Sequence, residues 1–226
     1  MKAIKPYTQI YLDFDGESVL KKIEQVARTC YKSEGKIQDG SAAKMVASLI
    51  RNGHEAMLEH ASVTVKFVCD RGVSHELVRH RLASFAQEST RFCNYAKDDF
   101  GSEITFIIPE FLHYGSQGFK IWKEQMVSAE KAYFSMLEFG LMPQEARSVL
   151  PNSLKTEVNM TCNLREWRWF FKLRAAGLTG TPHPQMLEVA VPLLQDMQKL
   201  IPVVFDDIKP CKTGERFLQE EGDQDE

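Results

Sequence analysis

Residues 62–91 read SVTVKFVCDRGVSHELVRHRLASFAQESTR, and three kinds of chain follow one another within them. The first eight, SVTVKFVC, alternate β-branched and aromatic side chains with other residues, the pattern of a strand. Ser74 then stands where a helix cap is expected, and a helix over 74–83 carries Arg79, His80 and Arg81. From Ser84 the apolar residues thin out, and Gln87, Glu88, Ser89 and Thr90 lead to Arg91. Short hydroxyl side chains and backbone amides of this kind suit phosphate oxygens in a loop over 84–91. A strand, a helix and a polar loop in such close succession predict an α+β fold.

The rest of the chain agrees. Residues 7–14 predict a short strand, and Ser18 caps a helix running to about 31. A helix over 41–52 places Ala43, Val46, Ala47 and Ile50 on one face, with Gly53 as its stop. Further along, 104–108 is a strand ended by Pro109, and 119–139 is a long helix stopped by Gly140 and Pro143. A short helix over 143–150, a polar strand over 153–162, a helix opened by Asn163 and a last helix over 184–200 complete the pattern. The acidic tail after Pro210 is expected to fray. No repeat, low-complexity linker or shift of composition divides the chain, so a single α+β domain over 1–226 is expected, with a mostly antiparallel or mixed sheet flanked by long helices.

Composition narrows the function classes. A net charge of −3 lacks the sustained basic field of a general nucleic-acid or membrane binder, so any basic site is local. The five cysteines are odd in number and widely spaced, with no C-x-x-C pair, as for free thiols in a reducing compartment. No stretch suits a signal peptide or a spanning helix, and a cytoplasmic location follows by elimination.

Three stretches carry candidate chemistry. In a helix over 74–83, His75, Val78, Arg79 and Leu82 share a face while Arg81 points elsewhere, so Arg79 is expected to be partly buried and to need an anion. For the triplet alone an internal carboxylate such as Glu76, with the other cations solvated, is the better explanation; the polar loop that follows turns the balance to a ligand. The second stretch is NLREWRWFFKLR, residues 163–174. Asn163 and Glu166 form a capping box, which explains Asn163 without a ligand, although the helix start also offers N–H groups to one. Trp167, Phe170, Phe171 and Arg174 fall on one face, with Arg165, Arg168 and Lys172 on the other. Arg174 therefore ends an aromatic stripe, where it either meets an acidic or carbonyl-bearing partner or snorkels to solvent. The third stretch is HEAMLEH, residues 54–60; zincin spacing requires histidine where Leu58 stands, so a structural role for His54 and His60 is favoured over zinc. Arg147 in EARSVLP reads as a helix-terminal cation. A nucleotide- or RNA-binding module, stacking bases on Phe85, Phe92 and Tyr95, and a hydrolase built on His54, Glu59 and His60 stay open as rival readings.

The triplet Arg79, His80, Arg81 with Ser89, together with HEAMLEH, EARSVLP and NLREWRWFFKLR, resembles in order and spacing the flavin-dependent thymidylate synthases, the ThyX family, over about residues 40–200. The resemblance implies a homotetramer with active sites shared between subunits. It also implies conversion of dUMP to dTMP with methylenetetrahydrofolate as carbon donor, FAD as hydride carrier and NADPH as reductant, tetrahydrofolate being released and no enzyme nucleophile being used. Carried over, Arg79, His80 and Arg81 hold the flavin, with Arg79 also reaching the nucleotide. Gln87, Glu88, Ser89, Thr90 and Arg91 cradle dUMP, Gln87 lying also beside FAD. Arg147 binds dUMP, Asn163 and Arg165 contact FAD, and Arg174 contacts the uracil and assists its ionisation at N3. His54 counts among the cofactor contacts and no metal is implied. Ala56 stands where many members have Ser or Thr, Glu76 replaces a frequent Gln at the nucleotide site, and Trp169 takes the place of a polar flavin contact.

Overall fold

The computed structural model describes residues 1–93, 95 and 103–211. They form two compact units, and each unit takes two separate segments of chain, so neither is a contiguous piece of sequence. The tail expected to fray lies, from residue 212 on, outside the described residues.

The first unit comprises Met1–Tyr11 and Thr64–Thr161. Its strand β1 (Lys2–Ile4) pairs in parallel with β5 (Thr105–Ile107), Lys2 lying opposite Thr105. A four-stranded sheet runs in the order β2 (Tyr7–Ile10), β3 (Ser62–Asp70), β6 (Lys155–Asn163), β4 (Ala83–Gln87), and β2 pairs antiparallel with β3. The strand expected over 7–14 thus stops at Ile10. Alternation does its expected work in β3, where Val63, Val65 and Phe67 are buried, and in β6, where Thr156, Val158, Met160 and Cys162 point inward. Against β5 packs α4 (Gln117–Glu138), capped by Ser116, whose hydroxyl accepts from the Phe119 amide. Phe119, Trp122, Met126 and Tyr133 give α4 its apolar stripe, which joins Phe106, Ile108 and Leu154 in one core. The short helix expected over 143–150 is α5 (Pro143–Ala146) continued by a 3-10 turn, Arg147–Val149.

Around the Arg-His-Arg triplet the expected helix over 74–83 and loop over 84–91 need correction. Helix α3 covers Arg71–Leu77 and is capped by Asp70, whose carboxylate accepts from the Val73 amide; Ser74 lies inside it and bonds back to the Arg71 carbonyl. The chain then turns through 78–82 and enters β4. Strand pairing wins because β4 must reach β6, which a helix running to 83 would prevent.

The second unit comprises Leu12–Val63 and the described residues from Cys162 on. Helix α1 (Gly16–Thr29) is capped by Asp15, which accepts from the Ser18 amide, so Ser18 is inside the helix and not its cap. Helix α2 (Ser41–Arg51) buries Ser41, Ala42, Val46 and Leu49, a face rotated from the one expected through Ala43, Ala47 and Ile50. A 3-10 helix, Glu55–His60, packs against α1, α2 and α6 (Leu164–Arg174), and α6 packs on α7 (Pro184–Leu200). The Trp167 indole lies over the Phe171 ring with centroids 5.8 Å apart, and Phe171 meets Phe205 edge-on. No described helix is long and apolar enough to cross a membrane.

Candidate active site

In the first unit the candidate residues gather where β4 ends. The Gln87 amide donates to the Ser74 hydroxyl at 3.1 Å and the Thr156 hydroxyl at 3.3 Å, tying the strand end to α3 and β6. The Glu88 amide donates to the Glu157 carbonyl at 2.8 Å, which extends the pairing by one residue. The chain then coils, the Phe92 and Cys93 amides both donating to the Ser89 carbonyl. This turn presents Ser89, Thr90 and Arg91 together.

Two arginines converge on it. Arg147, from the 3-10 turn after α5, donates to the buried Thr90 hydroxyl at 3.0 Å. Arg91 donates through Nε to the side-chain Oε1 of Gln144 at 3.1 Å, and its guanidinium lies 5.2 Å from the centroid of the exposed Phe92 ring. Among the described residues, neither guanidinium has a carboxylate partner. Both bond neutral groups and are exposed, a combination that suits an anion. Local sequence marks Arg147 as nothing more than a helix terminus; its pairing with Thr90 is a long-range contact with no local signal.

Arg79 and Arg81 are exposed in the turn between α3 and β4, also without a carboxylate partner among the described residues. The expectation that Arg79 shares a buried face with Val78 and Leu82 is overturned: Val78 is 42% and Leu82 74% exposed, because the helix has ended before them. His80 is buried, and Glu76 is half-buried in α3. Glu88 is committed internally: one carboxylate oxygen accepts from the Tyr95 hydroxyl at 3.1 Å and the other from the Lys155 ammonium at 3.0 Å. Its side chain therefore ties the loop to Tyr95 and to Lys155 of β6.

In the second unit, α6 carries the remaining candidates. Asn163 caps it, accepting from the Glu166 amide at 2.9 Å. The helix is buried around most of its girth, and Arg165 and Trp169, on adjacent turns, form its exposed stripe. Arg165 pairs with Glu59 at 2.6 Å across the 3-10 helix that follows the exposed His54. Trp169, 45% exposed, offers a flat apolar surface to a ligand. Arg174, expected to be buried on the aromatic stripe, is half-buried at the helix end. The buried cation is instead Arg168, placed by sequence pattern on the polar side. Its guanidinium donates to Glu55 at 3.1 Å, to both Asp207 oxygens at 2.7 and 2.8 Å, and to the Val204 carbonyl. Burial works against its charge, and Asp207 and Glu55 more than offset that, holding it above the ordinary arginine value. Among the described residues no cluster of His, Cys, Asp and Glu suits a metal; Leu58 is core, while Glu55 and Glu59 serve arginines.

Three cysteines are held as thiols. Burial pushes the Cys69 and Cys162 thiols well up, and burial together with Glu88 raises that of Cys93, which follows the candidate loop.

The chain is similar to known proteins. The family model described as thymidylate synthase complementing protein matches residues 16–203. The flavin-dependent thymidylate synthase of Pyrococcus furiosus is 34% identical over 189 residues, covering 81% of this chain and 73% of that one. The enzyme of the same name from Geobacter sulfurreducens is 31% identical over 196 residues, covering 83% and 82%. Among solved structures, the UMP/dUMP methylase PolB from Streptomyces cacaoi bound with 5-Br dUMP shares the fold with a TM-score of 0.75 at 23% identity, over 91% of this chain and 95% of that one. With the family model spanning most of its length and relatives above 30% identity over more than two thirds of the chain, the chain belongs to the flavin-dependent thymidylate synthase family.

Proposed function

We propose that this chain methylates dUMP to dTMP, with methylenetetrahydrofolate as carbon donor, FAD as carrier of reducing equivalents and NADPH as reductant, and that it works as a homotetramer with shared active sites. The observation that carries the reading is a pair of guanidinium groups with no carboxylate partner among the described residues: Arg91, which follows Ser89 and Thr90 in the turn, and Arg147, which donates to Thr90. Two such groups suit a dianionic phosphate monoester, each offering paired N–H donors to its oxygens. Ser89 and the backbone of the turn supply further donors, and Glu76 is assigned to the nucleotide with them.

The residues also fit a flavin dinucleotide. Arg79 and Arg81 stand exposed with no carboxylate partner among the described residues, as suits a pyrophosphate, and the Trp169 surface suits a ring system. We assign FAD to Arg79, His80, Arg81 and Gln87, with His54, Asn163, Arg165 and Trp169. The buried His80 acts there by shaping the turn, and Ala56 contributes through its backbone alone. Bound FAD supplies the two-electron chemistry of the methylation. Arg174 orients the uracil and stabilises negative charge at its N3 and oxygens, which favours attack by the ring carbon. The thiols of Cys69, Cys93 and Cys162 are all held protonated, which supports a route without an enzyme nucleophile.

The test is reconstitution. The purified protein is expected to be yellow, to release FAD on denaturation, and to form dTMP from dUMP only when methylenetetrahydrofolate and NADPH are present. Arg174→Ala should abolish turnover while dUMP still binds. A colourless protein whose affinity for single-stranded RNA falls steeply with salt would overturn the reading in favour of a nucleic-acid module.

A further inference from the structure

The loop that presents Ser89, Thr90 and Arg91 is closed at its base by contacts among its own flanking residues. Glu88 precedes it and Tyr95 follows it, and the Tyr95 hydroxyl donates to Glu88 at 3.1 Å across the seven-residue separation. Tyr95 is itself anchored in the core beside Tyr133, their rings edge to face at 5.8 Å. The second Glu88 oxygen accepts from Lys155 at 3.0 Å, and Lys155 also reaches Glu157 at 2.7 Å, which in turn meets Lys66. Two ammonium and two carboxylate groups, on β3, β6 and the end of β4, therefore alternate in one chain with no net charge.

That neutrality matters because Glu88 is adjacent to the proposed phosphate site. A carboxylate there without a partner would repel a phosphate dianion and compete for Arg91 and Arg147. Lys155 removes both effects by holding Glu88 inward and cancelling its charge. It is only 20% exposed, so its bond to Glu88 is poorly screened by solvent. Burial works against the charge of Lys155, but Glu157 and Glu88 outweigh it and keep the ammonium protonated beyond the ordinary lysine range.

We propose that Lys155 and Tyr95 are positioning residues for the nucleotide phosphate: they sequester Glu88, closing the 89–91 turn and leaving Arg91 and Arg147 free for the substrate. The inference rests on the dUMP reading above and adds a charge-sequestering device to it.

The experiment compares dUMP binding, dUMP KM and kcat for the wild-type holoenzyme, Lys155→Met, Lys155→Arg and the double variant Glu88→Gln with Lys155→Met, each checked by thermal melting. Lys155→Met is expected to raise KM about tenfold, the scale of one charge-assisted bond, with kcat at saturating dUMP little changed. Lys155→Arg should restore KM. The double variant should restore most of it, since the substituted glutamine carries no charge and its amide oxygen still accepts from Tyr95. A purely structural lysine predicts the opposite: the double variant would be no better than Lys155→Met. That result, or an unchanged KM in Lys155→Met, overturns the proposal while leaving the dUMP reading intact. A wild-type holoenzyme that binds no dUMP overturns both. If Lys155→Met does not fold, the proposal stands or falls on Tyr95→Phe, which loses only the hydroxyl and should raise KM severalfold with the melting temperature nearly held.

Discussion

Arg168→Met removes a guanidinium that is 1% exposed and strands the groups around it: Glu55, Asp207 and the Val204 carbonyl. Breaking a buried pair by deleting one partner costs about 3–5 kcal/mol, mostly through the uncompensated charge left behind. Here the lower end applies. Asp207 is 48% exposed and can rehydrate, while Glu55 keeps Lys172 at 3.6 Å. About 3 kcal/mol translates into a melting temperature lower by roughly 6–12 °C for a chain of this size. Differential scanning calorimetry at neutral pH measures it, alongside the triple variant that adds Glu55→Gln and Asp207→Asn. The triple variant leaves no buried charge and should recover much of the loss. The acid limb gives a second reading. The Arg168 hydrogen bond, then its charge, holds Asp207 below its ordinary 3.8, so its contribution is present above that value and lost as pH falls through the depressed one. Arg168→Met should flatten that part of the acid limb. A melting temperature within about 2 °C of wild type, with an unchanged acid limb, would refute the view that these carboxylates depend on Arg168.

Gly16→Ala should lower the denaturant midpoint by the equivalent of about 1–3 kcal/mol. A Cβ there would lie 1.9 Å from the Leu200 carbonyl oxygen where α1 begins, and an unchanged midpoint would show that the contact yields freely. Val203→Gly runs the other way: a β-branched residue at φ 76 is strained, and relief less the added freedom of the unfolded chain should yield about 0.5–1 kcal/mol, visible as a higher melting temperature. Arg147→Ala should weaken dUMP about tenfold or more but leave deoxyuridine unaffected in competition binding, since only the phosphate is lost as a partner. Equal losses for both ligands would place Arg147 away from the phosphate.

Where local pattern and tertiary demand coincide, the sequence is readable. The alternation of β3 and the Asn163 cap of α6 are local facts, and both stand in the fold. Strand β4 leaves no such mark, because ASFAQ is a short edge strand with no fully buried residue; only its pairing with β6 makes it a strand. The same pairing explains why α3 ends at Leu77 and why the triplet lies in a turn. For Arg168, helical periodicity points to a polar face, but Glu55 and Asp207, 113 and 39 residues away in sequence, turn that face into interior. The candidate site divides in the same way. Its residue types are legible from motifs, whereas the convergence of Arg147 on Thr90 and the commitment of Glu88 to Lys155 are long-range contacts that no local pattern encodes.

The parallel pairing of β1 with β5 sets a schedule for synthesis. Lys2 must wait for Thr105, about a hundred residues later, and at ribosomal rates of roughly 5–20 residues per second that delay is on the order of 5–20 s. The first unit is incomplete until β6 has been made, and the second needs the chain beyond Cys162 as well. Between the synthesis of β3 and that of β6 at Lys155–Asn163, the apolar strand β3 has no β6 to cover its edge, a condition that favours aggregation. The yield of this protein should therefore respond to elongation rate over that stretch as well as to the stability of the finished fold.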